Sequence, residues 1–272
     1  MVPVVYLKHD SMASIIPGYE YDIYISYRQE DNNHDGWVSE FIDHLKREIK
    51  FTFKEGISIY FDENPHDGLP EILNADKSPG SKLRSAVFIP VISHTYCDPE
   101  SSAWQNEFVA FNKMASADEA GRDIKSPSGN VCSRIIPVKI HDLDYEYKEL
   151  LEKELGCRLR SIDFVFSGAG ISRPLKPDDN PDENHNKTFY RDQIRKVASQ
   201  VVEIIYALHP DKNKKASSTY QTMPGYKHAD SAPASIAEAF APPKRFPGRQ
   251  VGLAILLLLL ILVLIFLVQK LV

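Results

Sequence analysis

Cysteine is scarce in this chain of 272 residues, which has only Cys97, Cys132 and Cys157. Because their number is odd and none forms a CxxC pair, a disulfide framework and a cysteine-based zinc site are both excluded. Isolated cysteines of this kind are typical of buried thiols in a reducing compartment. A glycine-rich dinucleotide fingerprint is also lacking, because the GxG at Gly168 and Gly170 precedes no predicted helix.

An excess of positive charge is also lacking. The 32 Lys and Arg residues against 37 Asp and Glu give a net charge of −5. Because nucleic-acid affinity depends mainly on Lys and Arg that neutralise phosphates, this balance disfavours a nucleic-acid partner. A hydrophobic content of 43% with 25% charged residues is typical of an ordinary folded chain. We therefore predict one globular domain with accessory segments.

A long apolar run lies near the C-terminus, where residues 251–268 include no charged or strongly polar side chain. At 1.5 Å per residue a helix of this length spans roughly 27 Å, close to the hydrocarbon thickness of about 30 Å. The run therefore predicts a single transmembrane helix. Lys244, Arg245 and Arg249 precede it and Lys270 follows, so the positive-inside rule places the N-terminal part in the cytoplasm.

Composition divides the chain into four predicted parts. Residues 1–18 form an N-terminal extension without the pattern of a secretion signal. Residues 19–208 form the folded domain. Residues 209–250 include six prolines and several small-residue stretches, which predict a flexible linker with a reach of roughly 35 Å. Residues 251–268 form the membrane anchor.

Short apolar runs and helical periodicity alternate through the domain. The predicted strands are 21–27, 57–61, 86–92, 135–140 and 162–166. The predicted helices are 37–49, 104–114, 147–155 and 190–208. This alternation predicts an α/β fold, a flavodoxin-like open parallel sheet of five strands with helices on both faces. Ligands of such sheets bind beyond the carboxyl ends of the strands.

Polar segments follow the first three predicted strands, at 28–36, 62–68 and 93–102, and we expect them to share one rim of the sheet. In the third segment, Ser102 and Gln105 have the spacing of a capping box. This spacing predicts a helix start at Ser102.

The predicted start sets Glu107 in the second turn of that helix. Trp104 and Glu107 are three residues apart, so the ring and the carboxylate are expected to point together at the crevice.

These segments resemble the TIR (Toll/interleukin-1 receptor) domains. Residues 21–28 are similar to the family's first box, 59–62 with the following Pro and Gly to the second, and 92–107 to the third-strand segment. The resemblance covers about 19–208 and is to the bacterial type that is joined to a membrane anchor. Three boxes in the right order make it more specific than any one of them.

The resemblance implies one of two functions in bacterial signalling or defence. The first is an NAD glycohydrolase that cleaves the nicotinamide–ribose bond on self-association, with NAD as substrate and no cofactor. The second is a non-catalytic scaffold that recruits other TIR proteins. In enzymatic members a Glu on the helix after the third strand is essential, and Glu107 has that position. The family pattern makes Trp104 a pocket wall, Tyr27 an aromatic contact and Arg28 a phosphate or ribose partner, with Asp62 also at the substrate.

The chain departs from the family pattern at two places. The family usually places its Trp four residues before the Glu, whereas Trp104 precedes Glu107 by three. The family also has a helix where 69–82 includes Pro70 and Pro79. The loop over the pocket, which includes 69–82, is therefore expected to differ from that of the family.

The same residues bear on three other kinds of function. A response-regulator receiver is disfavoured because Ile92 and Ser93 stand where its phosphoacceptor Asp is needed. A relative of the nucleoside deoxyribosyltransferases, also built around a single Glu, stays open. A polar loop such as 62–68 is more often a solvated turn than a metal site, so no metal is predicted there. For the same reason no metal site is predicted at His141, Asp142 and Asp144.

Overall fold

The structure is a computed structural model that describes residues 13–209, apart from 34, 54–55, 63–79, 127–128 and 169. The predicted linker beyond His209 and the predicted anchor at 251–268 therefore lie outside the described residues. Among the described residues, no helix has the length and apolar character needed to cross a membrane.

Strands and helices alternate along most of the described chain. The strands are β1 (Tyr21–Ser26), β2 (Ile59–Phe61), β3 (Ser85–Ile92), β4 (Asp123–Lys125), β5 (Val131–Ser133), β6 (Val138–Lys139), β7 (Ile162–Asp163), β8 (Val165–Gly168) and β9 (Ile171–Pro174). The helices are α1 (Glu30–Asn33), α2 (Trp37–Lys50), α3 (Ala110–Ala117), α4 (Tyr145–Leu155) and α5 (Tyr190–Leu208). A short 3-10 helix lies at Ser81–Leu83, and a π-helix at Ala103–Val109 runs directly into α3.

Five of the strands form one parallel sheet in the order β2-β1-β3-β6-β7. This confirms the predicted five-stranded parallel sheet and is consistent with a flavodoxin-like fold. β1 and β3 form its centre, and each is buried along its whole length. Strands with no exposed face are typical of a parallel sheet that is covered by helices.

Alternate residues of β1 belong to two different cores, as expected when successive side chains point to opposite faces of a sheet. Ile23 and Ile25 share one core with the apolar stripes of α2 and α5. Tyr24 lies in the other core, together with Phe108 of the π-helix and Phe111 of α3. The helices therefore cover both faces of the sheet.

The amino edge of the sheet is closed by two fully buried charged residues. Asp22 accepts hydrogen bonds from the hydroxyl groups of Ser14 and Ser58, at 2.6 and 2.8 Å. Arg134 donates to the carbonyl oxygen of Ala86 at 2.8 Å and to the carboxylate of Asp118 at 2.6 Å. Because both groups are paired within the protein, this edge has a structural role.

The structure corrects the last two predicted strands. The run at 135–140 forms only the two-residue strand β6, because Pro137 has no N–H to donate and Ile135 makes just an isolated bridge to Phe88. The run at 162–166 divides into β7 and β8, and β8 leaves the main sheet to pair with β9. A second hairpin, formed by β4 and β5, was not predicted because its strands are short and partly charged.

Candidate functional site

The main sheet has a topological switch point between β1 and β3. The connection from β1 leads to β2 on one side, whereas the connection from β3 leads to β6 on the other. In open α/β sheets the ligand crevice forms beyond the carboxyl ends of the two strands at this point. Ser26 ends β1 here, and Ser93 directly follows β3.

The carboxylate of Glu107 lies at this crevice. Ser26 Oγ donates a 2.6 Å hydrogen bond to Glu107 Oε2, and Lys82 Nζ donates a 3.0 Å charged hydrogen bond to Oε1. The Glu107 side chain is only 15% exposed. The carboxylate is therefore held in a fixed position against the end of β1.

Two linked hydroxyl groups, of Tyr96 and Ser26, hold the Glu107 carboxylate in place. Ser26 has one hydroxyl proton and gives it to Glu107, so the 2.7 Å contact between Tyr96 Oη and Ser26 Oγ has Tyr96 as donor. Burial raises the pKa of Tyr96 well above its ordinary value, and the charge of Glu107 raises it further. Tyr96 therefore stays protonated and remains a donor at physiological pH.

Tyr24 adds a second buried phenol beside the carboxylate. Its hydroxyl meets the geometry of a hydrogen bond with no described residue, although it is close enough to Glu107 to be affected by its charge. Burial, followed by that charge, raises the pKa of Tyr24 well above its ordinary value. Lys82 Nζ lies 5.9 Å from the centre of the Tyr24 ring. Glu107 is thus surrounded by an ammonium group and two protonated phenols.

Glu107 lies in the π-helix, where an α-helix was predicted. A π-helix has i to i+5 hydrogen bonds, and such segments are frequent at functional sites. Trp104 and Glu107 were expected to point together at the crevice, and their side chains make different contacts. Trp104 is 5% exposed and its ring stacks on Phe108 with centroids 5.0 Å apart, whereas Glu107 reaches Ser26.

The predicted capping box is wrong by one residue. Ser102 already has helical dihedral angles and makes no capping hydrogen bond. Ser101 caps the helix in its place, because its hydroxyl oxygen accepts the Trp104 N–H at 3.1 Å. Gln105 donates to the carbonyl oxygen of Pro99 and does not reach back to the cap.

Tyr27 and Asp62, both predicted at the substrate, are joined to each other. The Tyr27 hydroxyl donates to the backbone carbonyl of Asp62, which connects the ends of β1 and β2. Tyr27 is buried and packs in the core with α2. Of the second predicted polar segment only Asp62 is described, and residues 63–68 lie outside the described part of the chain.

Arg28 lies near the start of the helix that carries Glu107. Its side chain is 12% exposed, and a guanidinium nitrogen lies 3.7 Å from the Glu30 carboxylate. Arg28 lines an open depression of about 390 Å³ together with Asp98, Glu100, Ser101, Ser102, Gln105 and Asn106. The structure therefore brings the predicted phosphate partner next to the predicted catalytic helix.

Asp31 is a second carboxylate at the switch point. Asp31 Oδ2 accepts a 2.7 Å hydrogen bond from Ser93 Oγ, and Oδ1 has a longer 3.4 Å contact with Thr95 Oγ1. Burial raises the pKa of Asp31 to about 6, although the hydroxyl groups of Ser93 and Thr95 partly oppose it. The charge of Glu30 raises that pKa and the charge of Arg28 lowers it.

Four residues of this site were not singled out from the sequence: Ser26, Lys82, Tyr96 and Asp31. Ser26 had a usable signal, since it is a small polar residue at the end of an apolar strand. Asp31 and Tyr96 lie in the predicted polar segments but have no distinguishing pattern there. Lys82 reaches Glu107 from 25 residues away, and no local pattern reveals such a contact.

Among the described residues, no group of three or more His, Cys, Asp or Glu side chains is arranged to hold a metal ion. His141 lies against His94, with ring centroids 5.6 Å apart. Burial, and then the charge of His94, lower the pKa of His141. In the predicted polar loop, Glu63, His66 and Asp67 lie outside the described residues.

Comparisons with known proteins assign no family to the chain. No protein-family model matches it, and no curated protein is significantly similar to it. The fold is therefore defined by its architecture, an α/β domain with a five-stranded parallel sheet.

Proposed function

We propose that this domain is an NAD glycohydrolase in which Glu107 is the catalytic residue. The observation that carries the proposal is the position of its carboxylate, held by Ser26 at the carboxyl end of β1 where the sheet has its switch point. The resemblance of 19–208 to TIR domains supports the same residue for the same role.

A single carboxylate is enough for this reaction. Glycosidases need a second carboxyl group to protonate an alkoxide leaving group, whereas nicotinamide leaves as a neutral molecule from a cationic pyridinium. Glu107 stabilises the positive charge that develops on the ribose as the bond breaks. Water then attacks the ribose, and the products are nicotinamide, ADP-ribose and one proton.

The ion pair between Lys82 and Glu107 indicates that the described arrangement is an inactive state of the site. The Lys82 ammonium group neutralises Glu107 and occupies Oε1, where a ribose hydroxyl group would bind. A positive charge at this distance also opposes the positive charge of the transition state. Catalysis therefore requires that Lys82 withdraws, and self-association of the domain is the proposed cause.

The other predicted substrate residues are given roles according to whether they line the surface or are buried. Arg28 lines the depression at the helix start and is assigned to the diphosphate, which a guanidinium binds well. Asp62 directly follows β2 and is assigned to the nicotinamide half. Tyr27 and Trp104 are buried and are assigned to shaping the pocket wall from behind.

A non-catalytic scaffold that recruits other TIR proteins is the second candidate. The ion pair between Lys82 and Glu107 favours it, because each charge is largely buried and satisfied by the other. Such a pair also serves to fix the 3-10 helix against the π-helix without any chemistry. In either case the proposed setting is bacterial signalling or defence, with the domain on the cytoplasmic side of a membrane that 251–268 crosses.

The test is release of nicotinamide by the 272-residue chain, purified in detergent and assayed with NAD at low and high protein density. Glu107→Gln keeps the volume and the Ser26 contact but loses the charge, so we expect a rate about 100- to 1000-fold lower. Glu119→Gln is the matched control. Glu119 is exposed and lies two residues after the end of α3, so this variant should behave as the parent. Equal rates for Glu107→Gln and the parent would remove Glu107 from the mechanism. Absence of cleavage at both densities, with recruitment of a second TIR protein, would establish the scaffold.

A further inference from the structure

Two carboxylates and a cation lie near the carboxyl ends of β1 and β3. Ser26 holds the carboxylate of Glu107, Arg28 lines the depression beside the catalytic helix, and Asp31 follows three residues later. Arg28 is close enough to Asp31 to act on its charge. A dinucleotide has groups of matching chemistry, namely two riboses and a diphosphate. Carboxylates bind ribose hydroxyl groups, and guanidinium groups bind phosphates.

The Asp31 carboxylate has acceptor capacity that the described residues do not use. A carboxylate has about four acceptor sites on two oxygens. Among the described residues, Asp31 accepts a short hydrogen bond from Ser93 on Oδ2 and a long one from Thr95 on Oδ1. Asp31 is partly exposed, and in the inference below the hydroxyl groups of a ligand donate hydrogen bonds to its carboxylate.

Both carboxylates are fixed to the same turn of the chain. Ser93 Oγ donates to Asp31 and accepts the Tyr96 N–H at 3.1 Å. The Tyr96 side chain then reaches Ser26, which binds Glu107. The segment from Ser93 to Tyr96 therefore contacts both Asp31 and the serine that holds Glu107.

Asp31 differs from the structural carboxylates of this domain. At Asp118, burial is outweighed by hydrogen bonds from Tyr19 and Arg134, which hold the pKa below its ordinary value. Asp179 shows the same direction, because hydrogen bonds from Arg173 outweigh its burial. The pKa of Asp31 is raised, so its charged form opposes folding at neutral pH. A group that costs stability at a ligand crevice is typical of function.

We propose that Asp31 binds the ribose hydroxyl groups of the adenosine half of the dinucleotide, with Arg28 on the diphosphate and Glu107 on the nicotinamide ribose. This inference rests on the proposed function, since it names the second subsite of the same substrate. Its ligand class is an adenosine diphosphate that carries a free ribose diol.

The test measures binding of ADP-ribose to the 272-residue chain by calorimetry at pH 7.5, which requires no cleavage. Asp31→Asn replaces a charged acceptor with a neutral one, so we expect affinity to fall about tenfold or more. The same variant should raise the KM for NAD and leave the KM for nicotinamide mononucleotide unchanged, because that substrate has no adenosine half. Asp182→Asn, at an exposed position, is the matched control and should change neither value.

The possible outcomes separate this inference from the proposed function. If NAD is cleaved but Asp31→Asn binds ADP-ribose as tightly as the parent, the second subsite is wrong and the glycohydrolase proposal stands. If ADP-ribose binding depends on Asp31 but NAD is not cleaved, the subsite stands and the catalytic proposal fails. If ADP-ribose does not bind the parent chain, the inference is overturned. A fall in thermal stability of Asp31→Asn with unchanged binding would assign Asp31 a structural role.

Discussion

Ser26 and Glu107 are 81 residues apart in the chain, yet the Ser26 hydroxyl donates a 2.6 Å hydrogen bond to the Glu107 carboxylate. The bond joins the end of the central strand β1 to the π-helix that follows β3. It places an acidic group where open α/β sheets bind ligands. Because Tyr96 donates to the same serine oxygen, the position of Glu107 depends on two hydroxyl groups.

This dependence predicts a coupled loss of stability. Ser26→Ala leaves the buried Tyr96 hydroxyl without its acceptor and Glu107 Oε2 without the hydrogen bond from Ser26, so we expect a cost of about 1–3 kcal/mol. Tyr96→Phe removes only the donor to Ser26 and keeps the packing, so it should cost about 1 kcal/mol. The double variant should cost less than the sum, as measured by denaturant unfolding. Strict additivity would show that the two hydroxyl groups do not interact.

The sequence predicted the parts of the fold that depend on local pattern. The 3.6-residue apolar periodicity of 190–208 matches α5, and the buried apolar runs correspond to β1 and β3. These segments are long enough for their pattern to be decisive. Short elements such as β6 were predicted too long, because their limits depend on which partner strand accepts their hydrogen bonds.

The site was predicted only in part for the same reason. Glu107 was found through its position after a strand and its likeness to a family motif. Its partners Ser26, Lys82 and Tyr96 reach it from three other segments, and the contacts arise only when the sheet forms. The π-helix could not be predicted from local sequence either, because its residues suit an α-helix equally well. Trp104 and Glu107 were expected to point together at the crevice, and in this helix Trp104 stacks on Phe108 whereas Glu107 contacts Ser26.

Lys82→Met should increase the rate of NAD cleavage several-fold at saturating NAD. The change removes a positive charge that lies 3.0 Å from Glu107 and opposes the charge of the transition state. Initial rates of nicotinamide release measure the effect. Lys113→Met, at an exposed position on α3, is the control and should leave the rate unchanged. A loss of activity as large as that of Glu107→Gln would show that Lys82 supports the carboxylate and does not restrain it.

The raised pKa of Asp31 predicts a pH-dependent gain of stability in Asp31→Asn. The folded protein binds this proton more tightly than the unfolded chain, with pKa values of about 6 and 3.8. The carboxyl group therefore costs no stability below about pH 4, and stability falls as pH rises from 4 to 6. Above pH 6 the cost is constant and at most about 3 kcal/mol, less where water screens the carboxylate.

Thermal unfolding at two pH values checks this sign. Asp31→Asn should have a higher Tm than the parent at pH 7.5 and nearly the same Tm at pH 4. Asp182→Asn is exposed and should show no difference between the two conditions. A lower Tm for Asp31→Asn at pH 7.5 would mean that the ionised carboxylate stabilises the fold, contrary to the direction of its pKa shift.

The proposed withdrawal of Lys82 on self-association would give the predicted membrane anchor a mechanistic role. Confinement to a membrane raises the effective concentration of neighbouring domains. The predicted linker at 209–250 has a reach of roughly 35 Å, so two domains can meet without large movements of their anchors. Association should then be limiting for any form of the domain that lacks residues 251–268.

We therefore predict that a chain ending near Pro210 is nearly inactive towards NAD when dilute. Attachment of the same chain to liposomes, or fusion to an oligomerising partner, should restore cleavage with a steeper than linear dependence on surface density. In the fused form Lys82→Met should lower the density needed, because the resting ion pair with Glu107 is already absent. If the dilute truncated chain cleaves NAD at the clustered rate, association does not control the site and the anchor only localises the enzyme.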